Sequence, residues 1–355
     1  MKNLKAIRNT LKRIIFFGLI SMFLMPLTTY ASEGKLITVT VQSSALEGNL
    51  LGDSPDRSVL IYLPPDYDEN PDKRYPVIYL LHGYTCDHTA WLGDCYIPMD
   101  KPFVSICNNL IEQGAILPMI IVMPDAKNKY YGSWYTDSSV TGNWEIFITR
   151  DLLVYIDNTY RTIPQVSSRG IAGHSMGGYG AIKMAMKHPD IYSAAYLLSG
   201  VLDFENFYLD RSRERIISVV NAESIPEDGS LNLPLSSAVA FAPNPDINPF
   251  RCDFPLDKNG QLIESIWEKW LQHDPLSMIA SCRKNLLQLQ GIRLDCGTSD
   301  EWCITGNRIF SKALNDANIP HMFEEYEGTH TSEIKNRIEK HMLPFFSEIL
   351  AFQAK

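Results

Sequence analysis

The sequence lacks the features of a metal site or a nucleic-acid-binding surface. Its seven cysteines form no CxxC pair and no cysteine–histidine cluster at zinc-binding spacing. Positive charge is also scarce, because 32 basic residues stand against 41 acidic ones and leave a net charge of −9. Such a surface repels phosphate backbones. We expect no metal, no organic cofactor and no nucleic-acid partner.

The first 31 residues have the pattern of an export signal. A basic stretch precedes an apolar run over 14–27, and small residues favour cleavage after Ala31. The run is shorter than the about 20 residues that a membrane span needs. We therefore predict a signal peptide over 1–31 and a secreted or periplasmic protein without a stable membrane anchor. The mature chain would carry 27 basic and 41 acidic residues, a net charge of −14.

An exported protein is able to form disulfides, and two cysteine pairs are close enough in sequence to close short loops. They are Cys86 with Cys95 and Cys296 with Cys303. Seven is an odd number, so at least one thiol stays unpaired within a monomer. The sequence does not decide the connectivity.

Residues 32–355 alternate short β-branched or aromatic runs with longer amphipathic stretches, the pattern of a mainly parallel sheet covered by helices on both faces. The eight candidate strands are 36–41, 58–63, 77–82, 119–123, 169–173, 194–199, 288–296 and 322–326. The candidate helices are 104–113, 144–160, 177–187, 306–317 and 332–352. Residues 201–275 interrupt the alternation with an irregular, proline-containing segment, which we interpret as a lid-like insertion.

A G-x-S-x-G element, Gly173-His174-Ser175-Met176-Gly177, lies between a candidate strand and a candidate helix. In that context a serine occupies a sharp turn that exposes its hydroxyl, and we predict Ser175 as a nucleophile. A glycine-rich turn whose serine caps the helix is the alternative interpretation.

A serine needs a base and an acid, which follow it in the order acid, then histidine, on a sheet of this kind. His330 is the candidate base because it lies in the loop between the last strand and the last helix. His188, His321 and His341 lie at helix or strand positions typical of structural residues.

The candidate acid is Asp300, in the loop after strand 288–296. Asp295 is a close rival inside that strand, and Glu301 lies one residue beyond the expected turn. A turn or helix-capping role is the alternative for Asp300.

A tetrahedral intermediate needs two N–H donors for its oxyanion. The amide of Met176, directly after the serine, is one candidate. The amide of Tyr84, in the loop after strand 77–82, is the other. His82 precedes this loop and fits a structural role at the turn.

The sequence resembles the "Putative esterase" family of α/β-hydrolases over about residues 36 to 350. The resemblance is carried by residues 77–83 with Trp91, then by 119–125, 173–180, 295–300 and 328–330. The family includes esterase D-like S-formylglutathione hydrolases, feruloyl and acetyl-xylan esterases, and mycolyltransferases. The resemblance implies an α/β-hydrolase fold with Ser175, Asp300 and His330 as a catalytic triad. The 201–275 segment and the cysteines near Asp300 depart from the family pattern and leave the substrate open.

Substrate-binding candidates come from aromatic residues. Trp91 belongs to the resemblance, and Tyr131 and Trp134 belong to an aromatic cluster at 130–135, where ligands bind in such sheets. This cluster is either a platform for a phenolic acid or sugar ring, or packing under a long loop. We predict a serine carboxylic-ester hydrolase acting on feruloyl, acetyl or other short acyl esters of carbohydrates. The alternatives are an acyltransferase or thioesterase with the same triad, and a non-catalytic carbohydrate-binding protein.

Overall fold

The computed structural model describes residues 33–93, 95–226 and 232–352. The predicted signal peptide therefore lies outside the described residues. The described residues belong to one compact unit. Within the described ranges, no helix has both the length and the apolar character to cross a membrane.

A sheet of eight strands forms the centre of this unit. The strands are β1 Lys35–Gln42, β2 Asp56–Leu63, β3 Val77–Leu81, β4 Ile120–Pro124, β5 Arg169–His174, β6 Ala194–Leu198, β7 Gly291–Gly297 and β8 Met322–Tyr326. Their spatial order is β1-β2-β4-β3-β5-β6-β7-β8. Strands β1 and β2 pair antiparallel, as do β2 and β4, and the other pairs are parallel. Strands β3, β4 and β6 are buried along their whole length, which explains their continuous apolar sequences.

Helices cover both faces of the sheet. They are α1 Phe103–Glu112, α2 over 144–159, α3 Met176–Lys187, α4 Arg213–Val220, α5 Asn232–Phe241, α6 Glu264–Leu271, α7 Pro275–Leu286, α8 Ile304–Asp316 and α9 over 334–349. The predicted α/β-hydrolase fold is confirmed. A two-stranded hairpin, Asp137–Ser138 with Gly142–Asn143, was not predicted.

The segment 201–275 is more regular than the sequence suggested. It contains α4, α5, α6 and a π-helical turn over Glu205–Asp210, and α7 begins where it ends. Its prolines misled the sequence interpretation, because Pro234 and Pro275 lie in the first turns of helices, where the missing N–H costs nothing. Trp267 and Trp270 are buried on α6, where they pack against each other and among the other aromatic residues of this segment.

Candidate active site

Ser175 occupies the turn between β5 and α3 in a strained backbone conformation, with φ 58° and ψ −117°. Positive φ is unfavourable for a serine and is retained only where the surrounding structure enforces it. The two motif glycines allow this turn. A Cβ at Gly173 would overlap the backbone of Gly177, and one at Gly177 would overlap the carbonyl of Leu81. The turn therefore holds the Ser175 hydroxyl at the carboxyl edge of the sheet.

His330 and Asp300 meet at the same edge. The Nδ1 of His330 lies 2.7 Å from Oδ2 of Asp300, which is fully buried, whereas the His330 side chain is 23% exposed. The loops after β7 and β8 are joined by backbone bonds, Thr298 N–H to the Tyr326 carbonyl and Ser299 N–H to the Gly328 carbonyl. These bonds hold the acid and the histidine at a fixed separation.

The Asp300 carboxylate is stabilised in its charged form. Its Oδ1 accepts hydrogen bonds from the amides of Trp302 and Cys303, and Cys296 Sγ lies 3.4 Å from Oδ2. Burial raises the pKa of Asp300, but the hydrogen bond and charge of His330, together with the neighbouring Cys296 and Ser199, outweigh burial and hold that pKa below its usual value. An ionised Asp300 accepts the Nδ1–H of His330, which leaves Nε2 free to act as a base.

Asp295, the rival acid, belongs to a different network. Its Oδ2 accepts hydrogen bonds from the Arg337 guanidinium at 2.8 Å and the Tyr196 hydroxyl at 2.6 Å. Arg337 also bonds Glu324. Burial raises the pKa of Asp295 to about 6, against the opposing charge of Arg337. Asp295 therefore ties β7 to β6 and α9, and the structure brings Asp300, not Asp295, to His330.

His174, the variable residue of the motif before the serine, also contacts His330. It is fully buried, its ring centroid lies 4.6 Å from that of His330, and its Nε2 lies 2.8 Å from the His330 carbonyl. Burial, aided by the charge of His330, lowers the pKa of His174 to about 3. A neutral His174 with a proton on Nε2 donates to this carbonyl and so helps to fix the loop of His330. As the variable position of the motif, His174 carries no sequence signal of this role.

The two candidate oxyanion donors flank Ser175. Met176 is the first residue of α3, where backbone amides have no intrahelical acceptor. Tyr84 lies in the loop after β3, and among the described residues its amide has no hydrogen-bond acceptor within the protein. His82 is structural as expected, because its Nδ1 pairs with the Gly83 carbonyl and its Nε2 accepts the Ala126 amide.

Ser175 and His330 line a pocket of about 240 Å³ that is mostly apolar. Tyr84, Thr85, Tyr96, Trp302 and Thr331 form part of its wall. The segment 201–275 supplies the remaining lining residues, which are Phe207, Arg215 and Leu233. The Arg215 guanidinium lies 4.6 Å from the ring centroid of Trp302, and Phe207 packs 6.0 Å from the same ring.

The aromatic residues expected to bind substrate lie elsewhere. Trp91 is fully buried in the core on the other face of the sheet, and Trp134 is buried among Tyr179, Phe207 and Phe241. Neither indole lines the pocket, so the expectation for these two residues is corrected. Tyr131 is 36% exposed and packs against Tyr84 at 6.5 Å, next to the pocket wall.

The pocket residues that the sequence analysis missed carry weak local signals. Trp302 lies two residues after the acid, and Tyr96 directly follows a cysteine of a close pair, so both positions could have been examined. Phe207 and Arg215 carry no such signal, because only the packing of the 201–275 helices brings them to Ser175.

The cysteines divide between one disulfide and five free thiols in the described ranges. Cys86 and Cys95 are bonded, whereas Cys296 and Cys303 are both free and buried. Asp300, Cys303 and His330 form a group of potential metal ligands within 4.8 Å of one another. Burial holds the pKa of Cys303 well above its usual value, and His330 Nδ1 already pairs with Asp300. Because the thiol stays protonated and the Nδ1–H of His330 is already paired, these three residues are poorly suited to binding a metal ion.

Sequence comparison relates the chain to esterases. The family model described as "Putative esterase" matches residues 54–334. Esterase Rv1288 of Mycobacterium tuberculosis is 29% identical over 294 residues, which cover 79% of this chain and 53% of that protein. An endo-1,4-beta-xylanase/feruloyl esterase of Xylanibacter ruminicola is 29% identical over 143 residues, 39% of this chain and 19% of that protein. The chain spans about half the length of the mycobacterial relatives it matches.

Solved structures share the fold. A ferulic acid esterase superposes with a TM-score of 0.62 at 24% identity, covering 90% of this chain and all 100% of that one. An S-formylglutathione hydrolase of Staphylococcus aureus gives a TM-score of 0.59 at 19% identity, covering 89% and 100% of the two chains. The family match over most of the chain, together with this fold, establishes that the chain belongs to the esterase family of α/β-hydrolases.

Proposed function

We propose that the protein is an exported serine carboxylic-ester hydrolase with Ser175, His330 and Asp300 as its catalytic triad. The observation that carries the proposal is the Asp300–His330 hydrogen bond of 2.7 Å at the wall of the pocket that also exposes Ser175 on its strained turn. A nucleophile, a base and an acid at one sheet edge suit acyl transfer. Export is supported by the Cys86–Cys95 disulfide, since disulfides persist in oxidising compartments.

The proposed reaction has two steps. In acylation, Ser175 Oγ attacks the ester carbonyl, its proton passes to His330 Nε2, and the alcohol leaves with that proton. In deacylation, water gives a proton to His330 and attacks the acyl-serine, which releases the acid and restores Ser175. The amides of Met176 and Tyr84 stabilise the oxyanion in both steps. Asp300 keeps the proton on Nδ1 and stabilises the imidazolium.

The pocket walls support a proposal for the substrate class. Phe207, Leu233 and Trp302 offer apolar and aromatic surface beside Ser175, which suits a short or planar aromatic acyl group. The xylanase/feruloyl esterase relative supports esters of this kind. We propose feruloyl, acetyl or similar short acyl esters of carbohydrates as substrates.

Removal of the nucleophile tests the proposal. Wild type should release a burst of p-nitrophenol from p-nitrophenyl acetate and should be labelled by a fluorophosphonate. Ser175→Ala should lose both, while its circular dichroism and Tm stay close to those of wild type. A matched control is Ser218→Ala, on the exposed surface of α4. Labelling of Ser175→Ala at the wild-type rate would show that the nucleophile is a different residue.

Acyl transfer to an alcohol is the second candidate. A mycolyltransferase of Mycobacterium leprae is 32% identical over 146 residues, 39% of this chain and 40% of that protein. Hydrolysis and transfer share the acyl-serine and differ in whether water or an alcohol removes the acyl group. Product analysis with a feruloyl ester and excess xylo-oligosaccharide separates them, because a hydrolase gives mainly free ferulic acid. A panel of acetyl, butyryl, feruloyl and thioester substrates, compared by kcat/KM, identifies the acyl group.

A further inference from the structure

Tyr96 is a pocket residue to which the proposed mechanism gives no role. It directly follows Cys95, and the disulfide attaches Cys95 to Cys86 in the loop that follows β3. The residue is 37% exposed, yet its hydroxyl points inward, because a Cβ at Gly83 would overlap the hydroxyl oxygen. The Tyr96 ring lies 5.8 Å from the ring of His174. The hydroxyl thus lies between the end of β5 and the oxyanion loop, which is the loop after β3 that carries Gly83 and Tyr84.

Tyr96 lines the same pocket as the proposed nucleophile Ser175. Burial of the hydroxyl end raises the pKa of Tyr96, and the nearby Ser175 hydroxyl offsets part of that rise. The phenol therefore stays protonated at neutral pH and is able to donate a hydrogen bond. Gly83, against which it lies, directly precedes Tyr84, whose amide is one of the proposed oxyanion donors.

We propose that Tyr96 is a further catalytic residue, whose hydroxyl donates a third hydrogen bond to the oxyanion beside the amides of Tyr84 and Met176. The inference rests on the proposed function. In the free enzyme Tyr96 and Ser175 line the same pocket. When Ser175 Oγ attacks, negative charge develops on the carbonyl oxygen, and the phenol donates its hydrogen bond there without losing its proton. Tyrosine hydroxyls are among the donors that stabilise such oxyanions in a preorganised site.

The Cys86–Cys95 disulfide positions this donor. Cys86 is buried and close to the oxyanion loop, and its amide bonds the Gly83 carbonyl. Because Tyr96 is adjacent to Cys95, the disulfide fixes the start of the Tyr96 side chain relative to Gly83. Without the disulfide, the backbone next to Tyr96 would no longer be cross-linked to the oxyanion loop, and the Tyr96 side chain would spend part of its time outside the pocket.

Burst kinetics with p-nitrophenyl acetate test the catalytic role. The oxyanion forms in both acylation and deacylation, so Tyr96→Phe should slow both steps, by roughly 10- to 100-fold since the two amides remain. The phenylalanine ring keeps the contact with His174. The matched control is Tyr155→Phe, a half-buried tyrosine of α2 outside the pocket, which should keep wild-type rates. Unchanged rates in Tyr96→Phe, or a loss confined to acylation, would overturn the proposal.

The positioning role of the disulfide has a separate test. Replacing both cysteines, Cys86→Ala with Cys95→Ala, should slow both steps toward the Tyr96→Phe values, yet add little when combined with Tyr96→Phe. Wild type that is reduced, desalted and shown by thiol titration to have lost the disulfide should behave in the same way, which covers the case in which the alanine variant folds poorly. Losses that multiply in the triple variant would overturn the positioning role.

The same experiment separates this inference from the proposed function. A wild type that neither hydrolyses p-nitrophenyl acetate nor is labelled by a fluorophosphonate, or a Ser175→Ala variant that keeps both properties, would defeat both proposals. A normal burst that depends on Ser175 but not on Tyr96 would defeat only the third-donor proposal.

Discussion

The catalytic edge and the capping segment of this protein are built by different means. The catalytic edge, named for its proposed role, consists of Ser175, Asp300 and His330, each in a loop at the carboxyl end of a parallel strand. The capping segment, residues 201–275, is a set of short helices that supplies Phe207, Arg215 and Leu233 to the pocket. The first arrangement is fixed by strand register and tight turns. The second depends on side chains that pack across long sequence separations.

This difference separates chemistry from selectivity. A change at the catalytic edge should alter the rate with every ester, because each ester passes through the same oxyanion. A change in the capping segment should alter which acyl group is preferred. The comparison fails if a catalytic-edge variant discriminates among substrates or if a capping variant slows all of them equally.

The largest expected effect comes from Asp300→Asn. Asparagine has nearly the same shape but favours the wrong imidazole tautomer of His330, so kcat should fall on the order of 10⁴-fold. The fall should be similar for acetyl and feruloyl esters. Steady-state kinetics on the two substrates measure it, and a residual kcat within tenfold of wild type would show that another group orients His330.

Asp295→Asn is the matched control, five positions earlier and inside β7. Asp295 pairs with the buried Arg337, so removal of its charge should lower the free energy of unfolding by roughly 3 kcal/mol. The kcat of the folded variant should remain close to that of wild type. Urea unfolding and active-site titration provide the two measurements. A large fall in kcat with unchanged stability would exchange the roles of the two aspartates.

The meeting of Ser175, Asp300 and His330 at one sheet edge could be predicted from sequence because its determinants are local. Gly173 and Gly177 specify the turn of Ser175, and the order of strands and loops selects Asp300 and His330. The capping segment could not be predicted in this way. The helix-starting roles of Pro234 and Pro275 depend on where the helices begin, and the chain positions alone do not show this.

The aromatic residues illustrate the same limit. Trp134 and Phe207 are equally plausible pocket residues by composition, yet Trp134 is fully buried and its Nε1–H donates to Ser236, whereas Phe207 reaches the pocket. Phe207 and Trp134 pack on each other at 6.4 Å between ring centroids, and this packing determines that Phe207 is the ring that faces the pocket.

A smaller effect is expected from Asp274, which ties the two ends of the capping segment together. Its Oδ1 accepts the Phe204 amide, and its Oδ2 accepts the Ser277 amide at the start of α7. Burial raises the pKa of Asp274 to about 6, although its hydrogen bonds with Ser277 and Phe204 oppose this rise. The charge of nearby Asp203 also contributes to the rise. The folded state therefore holds the proton more tightly than the unfolded state, and ionisation above the folded pKa costs stability.

The free energy of unfolding of wild type should consequently fall relative to that of Asp274→Asn as pH rises from about 4 to 7, by about 1 to 3 kcal/mol. The test is how the difference between the two free energies of unfolding changes with pH. The absolute size of that difference is not informative, because asparagine also loses one acceptor oxygen. Urea titrations of both proteins at several pH values measure it. Parallel pH profiles would show that Asp274 does not titrate in this range.

The smallest effect, and the one that most directly tests the comparison, is expected from Phe207→Ala. Phe207 is 7% exposed and packs on Trp302, so its ring forms part of the pocket wall, on which an aromatic acyl group would bury more apolar surface than an acetyl group. The ratio of kcat/KM for feruloyl over acetyl esters should fall roughly tenfold, in line with the loss of one apolar contact in a pocket. Phe254→Ala is the control, because Phe254 lies in the same segment and packs on Phe250 away from the pocket lining. If both variants keep the wild-type ratio, the capping segment does not select the acyl group, and selectivity would then be set by the wall on the oxyanion side, where Tyr84 packs against Tyr131.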